Sequence, residues 1–403
     1  MRILRKIFDK DFRFTLIVWA VSLAFLFVGN ALAGSVETSP DVGQYDVMSA
    51  VVTEIVDTQQ WDQEMGEGFV ISSSLIIFNA AVTSGDMHGQ VVVAEQFLDG
   101  WSVATANEVR VRDRVLLLDN QFTQTFEFID YVRFNYIIIL GAVFFVLILL
   151  FGGKKGFNAI VSLGFTGMAI FSVLVPAILG GRNIYLTTII ICVFIIVSTL
   201  LMVIGPNKKA LSAMLGCLGG VFLAAGLMFF MDIVMSLTGI IDQDSQFLLT
   251  LPIDITISLN AVVFAGVIIG AVGAIMDVAM SISSSLWEVK LTSPESMSFG
   301  KIFKSGINIG KDIMGTMLNT LILAYIGSSL TLILLMTFYS NATSFVELFN
   351  REMIAVEFLR ALIGSFGIFL AVPLTAGICG WLYSGQTERK EREEHKEQYD
   401  PNW

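Results

Sequence analysis

The chain has 403 residues, 55% of them hydrophobic and only 15% charged, with a formal net charge of −11. That balance excludes an ordinary soluble globular protein and suits a chain that lies mostly in lipid. Cys192, Cys217 and Cys379 all fall in apolar runs, and His88 and His395 have no ligand cluster at zinc spacing. Neither a disulfide framework nor a metal centre is expected, and no cofactor is implied.

Residues 1–33 begin with a basic segment, from Arg2 to Arg13, followed by an apolar run over 14–33. The run is nearer the roughly 20 residues of a membrane span than the roughly 7–15 of a signal-peptide core, so an uncleaved anchor is expected. Its end, Ala31-Leu32-Ala33, would also suit a signal peptidase after Ala33. In either case the segment that follows is exported.

Residues 34–133 change character, alternating apolar and polar positions with turn signals between the runs. Strands are predicted at 45–56, 69–80, 89–97 and 109–118, with turns at Ser84-Gly85-Asp86 and Leu98-Asp99-Gly100. Five short strands of this kind fit a small all-β barrel of the OB or SH3-like sort. The segment holds 16 acidic residues against Arg110, Arg112, Arg114 and Arg133. Such a charge serves solubility or gathers cations near the membrane. It does not suit nucleic acid, whose phosphates need a basic surface.

Residues 134–384 carry seven further apolar runs, at 134–151, 157–179, 184–204, 211–237, 259–280, 313–339 and 356–383. With the first, this predicts an α-helical polytopic membrane protein of about eight transmembrane helices. Seventeen Lys and Arg fall in the N-terminus, the alternate connections and the tail, against Arg182 and Arg351 in the opposite short loops. Basic loops stay inside, so both termini are expected in the cytoplasm and the barrel outside. The tail, 385–403, interleaves both signs and is expected to be a solvated cytoplasmic end.

Polar groups inside spans are costly and mark candidate sites. On the sixth span Gly266, Gly270, Gly273, Asp277, Ser281, Ser284 and Glu288 recur every three or four residues and so share one helix face. On the seventh, Asn308, Asp312, Gly315, Thr316 and Asn319 do the same. The small residues Gly266, Gly270, Gly273 and Gly315 suit helix packing. The carboxylates of Asp277 and Asp312 need water, a cation or a donor such as Asn308, Asn319, Thr316 or Ser281. Oxygen groups of this kind suit a proton, Na⁺ or a hard divalent cation. The alternative is that both aspartates solvate at headgroup level.

Met231-Asp232-Ile233-Val234-Met235-Ser236 on the fifth span echoes Met276-Asp277-Val278-Ala279-Met280-Ser281 on the sixth. Six residues are too few to establish an inverted repeat, and chance similarity accounts for them better. Glu357 and Arg360 stand one turn apart and can pair. No nucleophile–base constellation, Walker-type loop, dinucleotide fingerprint or metalloprotease helix occurs, so an enzyme is not expected.

The runs from Gly270 to Ser281, from Ser283 to Glu288 and from Gly306 to Leu321 resemble the YibE/F family, and Thr83-Ser84-Gly85 through His88-Gly89-Gln90 is similar to its soluble part. The chain departs from it at Arg112-Asp113-Arg114-Val115, where a Gly would precede the Asp. The resemblance implies a bacterial plasma-membrane protein with an N-terminal anchor, an exported β domain and a helical membrane domain. It supplies no activity. Two functions remain open: a permease or ion-coupled transporter for a cation or small solute, and a non-transporting scaffold or sensor whose barrel binds an envelope or membrane protein. Seven spans beyond the barrel exceed what anchoring requires.

Overall fold

The structure, a computed structural model, describes residues 2–34, 47–64, 70–99, 107–120, 125–250, 257–293, 297–339 and 344–384. The expected tail at 385–403, the predicted strand starts at Tyr45 and Phe69 and the turn residue Gly100 lie outside these residues. The chain divides into two compact units, Thr38–Ile148 and Met1–Glu37 with Leu149–Trp403.

In the first unit, β1 (Val47–Glu64), β2 (Val70–Val82), β3 (Val91–Leu98), β4 (Arg114–Asn120) and β5 (Thr125–Tyr131) close a barrel in the order β1-β2-β3-β5-β4. All neighbouring pairs run antiparallel except β3 with β5, where Ala94 faces Phe126 and Glu95 faces Glu127 in parallel. Period-two alternation sends Met48, Ala50, Val52, Ile76, Phe78, Ala80, Val92, Ala94, Val115 and Leu117 inward. Gln96 takes an inward position as well and is satisfied there. Its Oε1 accepts from the backbone N–H of Val109 at 2.9 Å and its amide donates to the Asn107 carbonyl at 3.1 Å. That anchorage explains why β4 begins at Arg114 rather than at 109: residues 107–113 are tied into a turn before the strand starts.

The turn itself puts Arg112 at φ 80, a left-handed conformation that favours glycine. The Arg112 N–H donates to the Val52 carbonyl at 2.8 Å, and Asp113 Oδ2 accepts from the Arg110 N–H at 2.8 Å. Arg112, where the sequence resemblance led a glycine to be expected, thus stands at the backbone position where a glycine would be least strained.

Outside the barrel the described chain is helical, and the unit boundary after Ile148 falls within its second helix. Its elements in chain order are α1 (Arg2–Ala33), α2 (Phe134–Ala169), a π turn at Ile170–Leu174 leading into α3 (Val175–Leu179), α4 (Ile184–Ile204), α5 (Lys208–Met235), α6 (Gln243–Thr250), α7 (Leu259–Thr292), α8 (Phe299–Ser328), α9 (Leu330–Tyr339), α10 (Phe345–Phe349) and α11 (Glu352–Tyr383). Among the described residues six helices are long and apolar enough to cross a membrane, or seven if α8 and α9, bent by 65°, count as one span. The protein is therefore a multi-pass membrane protein. Two apolar runs read separately in the sequence join here in one 46-residue stretch, Phe134–Leu179, interrupted at Gly153 (φ 51, ψ −127).

Helices α5, α7, α8 and α11 form the packed centre, and glycines set how closely they approach. A Cβ on Gly216 would lie 2.1 Å from Thr375 Oγ1, and one on Gly310 2.3 Å from Val372 Cγ1. One on Gly367 would lie 2.5 Å from Ile275 Cδ1. The contacts Gly216–Thr375 and Gly220–Ala371 run α5 antiparallel to α11, and Gly306–Ala376 and Gly310–Val372 do the same for α8. Small-residue contact of this kind drives helix association where lipid removes the hydrophobic gain.

Candidate functional site: two polar helix faces

The sequence-expected residues lie on two helices in contact. Gly306 meets Leu286, Gly310 meets Ile282, and Gly270 faces the Tyr325 hydroxyl, so α7 and α8 run antiparallel. That register puts Asp277 level with Gly315 and Thr316, and Asp312 level with Met280 and Ser281. It likewise aligns Asn308 with Ser284, and Asn319 with Gly273.

Gly266, Gly270, Gly273 and Asp277 are the exposed stripe of a helix that is otherwise mostly buried, and Ser281 is half-buried below them. Asn308, Asp312, Gly315, Thr316 and Asn319 are exposed on the side of α8 opposite its buried Ile302, Gly306 and Gly310. Asp277 and Asp312 make no hydrogen bond or ion pair with another described residue. The Thr316 hydroxyl donates to the Ile313 carbonyl of its own helix at 2.9 Å. A Cβ would meet nothing within 4 Å at Gly266, Gly273 or Gly315, and only Tyr325 Oη at 3.4 Å at Gly270. These four glycines therefore keep a surface low and open, while Gly216, Gly220, Gly306, Gly310 and Gly367 make the close contacts.

Three further polar groups knit the bundle. Ser212, Ser283 and Tyr383, on α5, α7 and α11, are fully buried with hydroxyl oxygens 2.6–2.8 Å apart. The Lys209 carbonyl accepts from both serines, at 3.0 and 2.8 Å, so the cluster is self-satisfied. Glu352 accepts from the Thr238 N–H at 2.8 Å, the Gly239 N–H at 2.6 Å and the Thr238 hydroxyl at 2.7 Å. Glu357 pairs with Arg360 at 2.9 Å, as their spacing implied, and accepts from the Ser329 hydroxyl beside the α8–α9 bend.

Asp232, marked in the sequence only by the six-residue echo, is the one buried carboxylate among the described residues, 6% exposed. The signal was present: it is an acidic residue in an apolar run, as Asp277 is. A cavity of about 520 Å³ between α1 and α4, lined by Phe14, Val18, Phe25, Ile189, Val193 and Phe194 among others, is predominantly apolar, with Ser22 and Ser198 the polar residues of its lining. Among the described residues no group of three or more His, Cys, Asp or Glu could hold a metal ion.

Comparison with known proteins bears on the helical region. No curated protein and no solved structure matches the chain. A sequence model described as YibE/F-like protein matches residues 140–385, which begin beyond the barrel and contain both polar stripes. More than half of the chain is covered by that one match, so this multi-pass membrane protein belongs to the YibE/F-like family.

Proposed function

We propose that the protein is a permease or ion-coupled transporter whose pathway follows the polar faces of α7 and α8. The observation that carries this is the pair Asp277 and Asp312, two carboxylates on adjoining helices, about one turn apart in register, exposed and without a partner among the described residues. Ionisable groups at membrane depth need water or a counter-charge, and a solvated passage supplies both. Ser281, Asn308, Thr316 and Asn319 extend the same faces with neutral oxygens suited to a hard cation or a hydrogen-bonding solute.

The arrangement we infer has residues 1–33 as basic segment and anchor, 34–133 as an exported domain, 134–384 as the membrane domain and 385–403 as a cytoplasmic tail. The break at Gly153, followed by Lys154 and Lys155 in a 46-residue stretch, supports two crossings there and eight in all. The alternating Lys and Arg support cytoplasmic termini. The strand order β1-β2-β3-β5-β4, with its single parallel pair, supports the OB rather than the SH3-like form of barrel.

A second reading, a scaffold or sensor, draws on the barrel surface. Trp61 and Phe97 stack at 6.0 Å while 42% and 60% exposed, an aromatic pair that suits an envelope protein partner. Reconstitution separates the two. Wild-type protein in liposomes is expected to pass a cation or small solute, and Asp277→Asn and Asp312→Asn each to abolish that flux while inserting normally. Flux that survives both substitutions would remove these residues from the mechanism, and wild type silent against a broad ion and metabolite panel favours the scaffold.

A further inference from the structure

Asp232 stands on the last turn of α5, three residues before the helix ends at Met235. Its Oδ2 accepts from the Tyr185 hydroxyl at 3.0 Å, on the first turn of α4, and from the Asn260 amide at 3.2 Å, on the first turn of α7. Its Oδ1 is equally buried and has no hydrogen-bond partner. No Lys or Arg among the described residues pairs with it. A buried carboxylate oxygen in that condition is strongly disfavoured unless something positive meets it.

The corner around it is built and closed. The Tyr185 ring packs edge-on against Phe229 at 5.6 Å and Phe264 at 4.9 Å, an apolar wall beside the carboxylate. The turn after α5 folds over the start of α7 so tightly that a Cβ on Gly239 would fall 2.3 Å from the Asn260 nitrogen, and Gly239 itself needs φ +79. Glu352, through its bonds to Thr238 and Gly239, fixes that turn to α11. At the end of α5 the Asp232 and Ile233 carbonyls accept from the Ser236 and Leu237 N–H groups, and the helix end carries the negative pole of its dipole, which adds to the pull on a cation.

We propose that this corner binds one monovalent cation of the Na⁺ class, with Asp232 Oδ1 as its charged ligand. The Tyr185 hydroxyl, 3.0 Å from Oδ2, supplies a neutral oxygen beside it. A single carboxylate balances a single positive charge, and the described residues offer no acidic cluster for a divalent ion. Helix ends with exposed carbonyls are a recurrent setting for Na⁺ in membrane proteins. The site is separate from the α7–α8 faces. Asn260 and Asp277 are 17 residues apart on one helix, about 25 Å along its axis, so cation binding here does not rest on the pathway proposed above.

The test uses the full chain in detergent, with sodium chloride against choline chloride. Saturable binding of radiolabelled sodium and a sodium-dependent rise in Tm are expected in the wild type. Both should vanish in Asp232→Asn, weaken by about tenfold in Tyr185→Phe, and persist in Asp277→Asn. Should Asp232→Asn fail to purify, the Tyr185→Phe shift decides. A wild type without any sodium response at acid or alkaline pH, or an equal response in Asp232→Asn and Tyr185→Phe, overturns the proposal. Loss of flux in Asp277→Asn with sodium binding intact would leave both proposals standing as distinct sites.

Discussion

Asp232 and Asp277 sit in the same local pattern, Met-Asp-x-x-Met-Ser, on two helices that pack against each other, and they end in opposite environments. Asp232 is enclosed where three helix ends meet, with donors from α4 and α7 on one oxygen. Asp277 lies mid-helix on an open stripe whose glycines touch almost nothing. The difference teaches that the identity of a polar residue and its immediate neighbours do not decide its burial. Position along the helix and the partner elements at that level do. An enclosed carboxylate is suited to hold an ion, and an open one to meet a moving solute.

The sharpest way to test that contrast structurally is through the glycines that accompany each face. Gly216→Ala places a methyl 2.1 Å from Thr375 Oγ1 and 3.0 Å from its Cα, so α5 and α11 must separate. A loss of about 1–3 kcal/mol is expected, as for other overpacked cores. Gly315→Ala, on the open face, meets nothing within 4 Å and is expected to cause no loss, with a gain of up to about 0.5–1 kcal/mol from helix propensity. Thermal unfolding in detergent reads both. Equal losses would mean that the α8 face is packed in the assembled protein.

The barrel gives a smaller effect of opposite sign. A segment covering 34–133 is expected to be soluble with β-type circular dichroism. In it Arg112→Gly should relieve the left-handed strain at φ 80 and raise stability by about 0.5–1 kcal/mol in urea unfolding. A loss would show that the Arg112 side chain holds the turn.

The smallest expected effect is at Asp130. A hydrogen bond from Arg133, and after it one from the Tyr131 N–H, hold its carboxyl below the ordinary 3.8. A depressed folded value contributes stability that is present above the unfolded pKa and lost as pH falls through the folded one. The advantage of wild type over Arg133→Ala should therefore exist near neutrality and disappear in acid, below about pH 4. It should be slight, because the two side chains are 62% and 47% exposed. An NMR titration in which Asp130 keeps the same pKa in both proteins would remove Arg133 as the cause.

Much of the architecture was legible in the residues. Period-two alternation marked the strands, and apolar length marked the helices, because both signals are local. The fifth strand, Thr125–Tyr131, was expected in number but not located, since it is short and its parallel partner β3 is distant in sequence. The late start of β4 was not legible either, because it depends on Gln96 reaching across to 107–109. In the candidate site the residue types and their helix faces were readable. The Asp232 corner was not, since it is assembled from helix ends in three separate parts of the chain.

The sequence by itself determined the membrane class, the acidic barrel segment and the two polar stripes, because spacing along a helix or strand fixes which side chains share a face. It could not determine what each face meets. Only the tertiary structure decided that Gly310 packs while Gly315 stays open, and that Asp232 is enclosed while Asp277 is not. The physical reason is that burial belongs to pairs of elements: a face becomes a core, a site or a surface only when the neighbouring helix brings its own shape and charge to the same level.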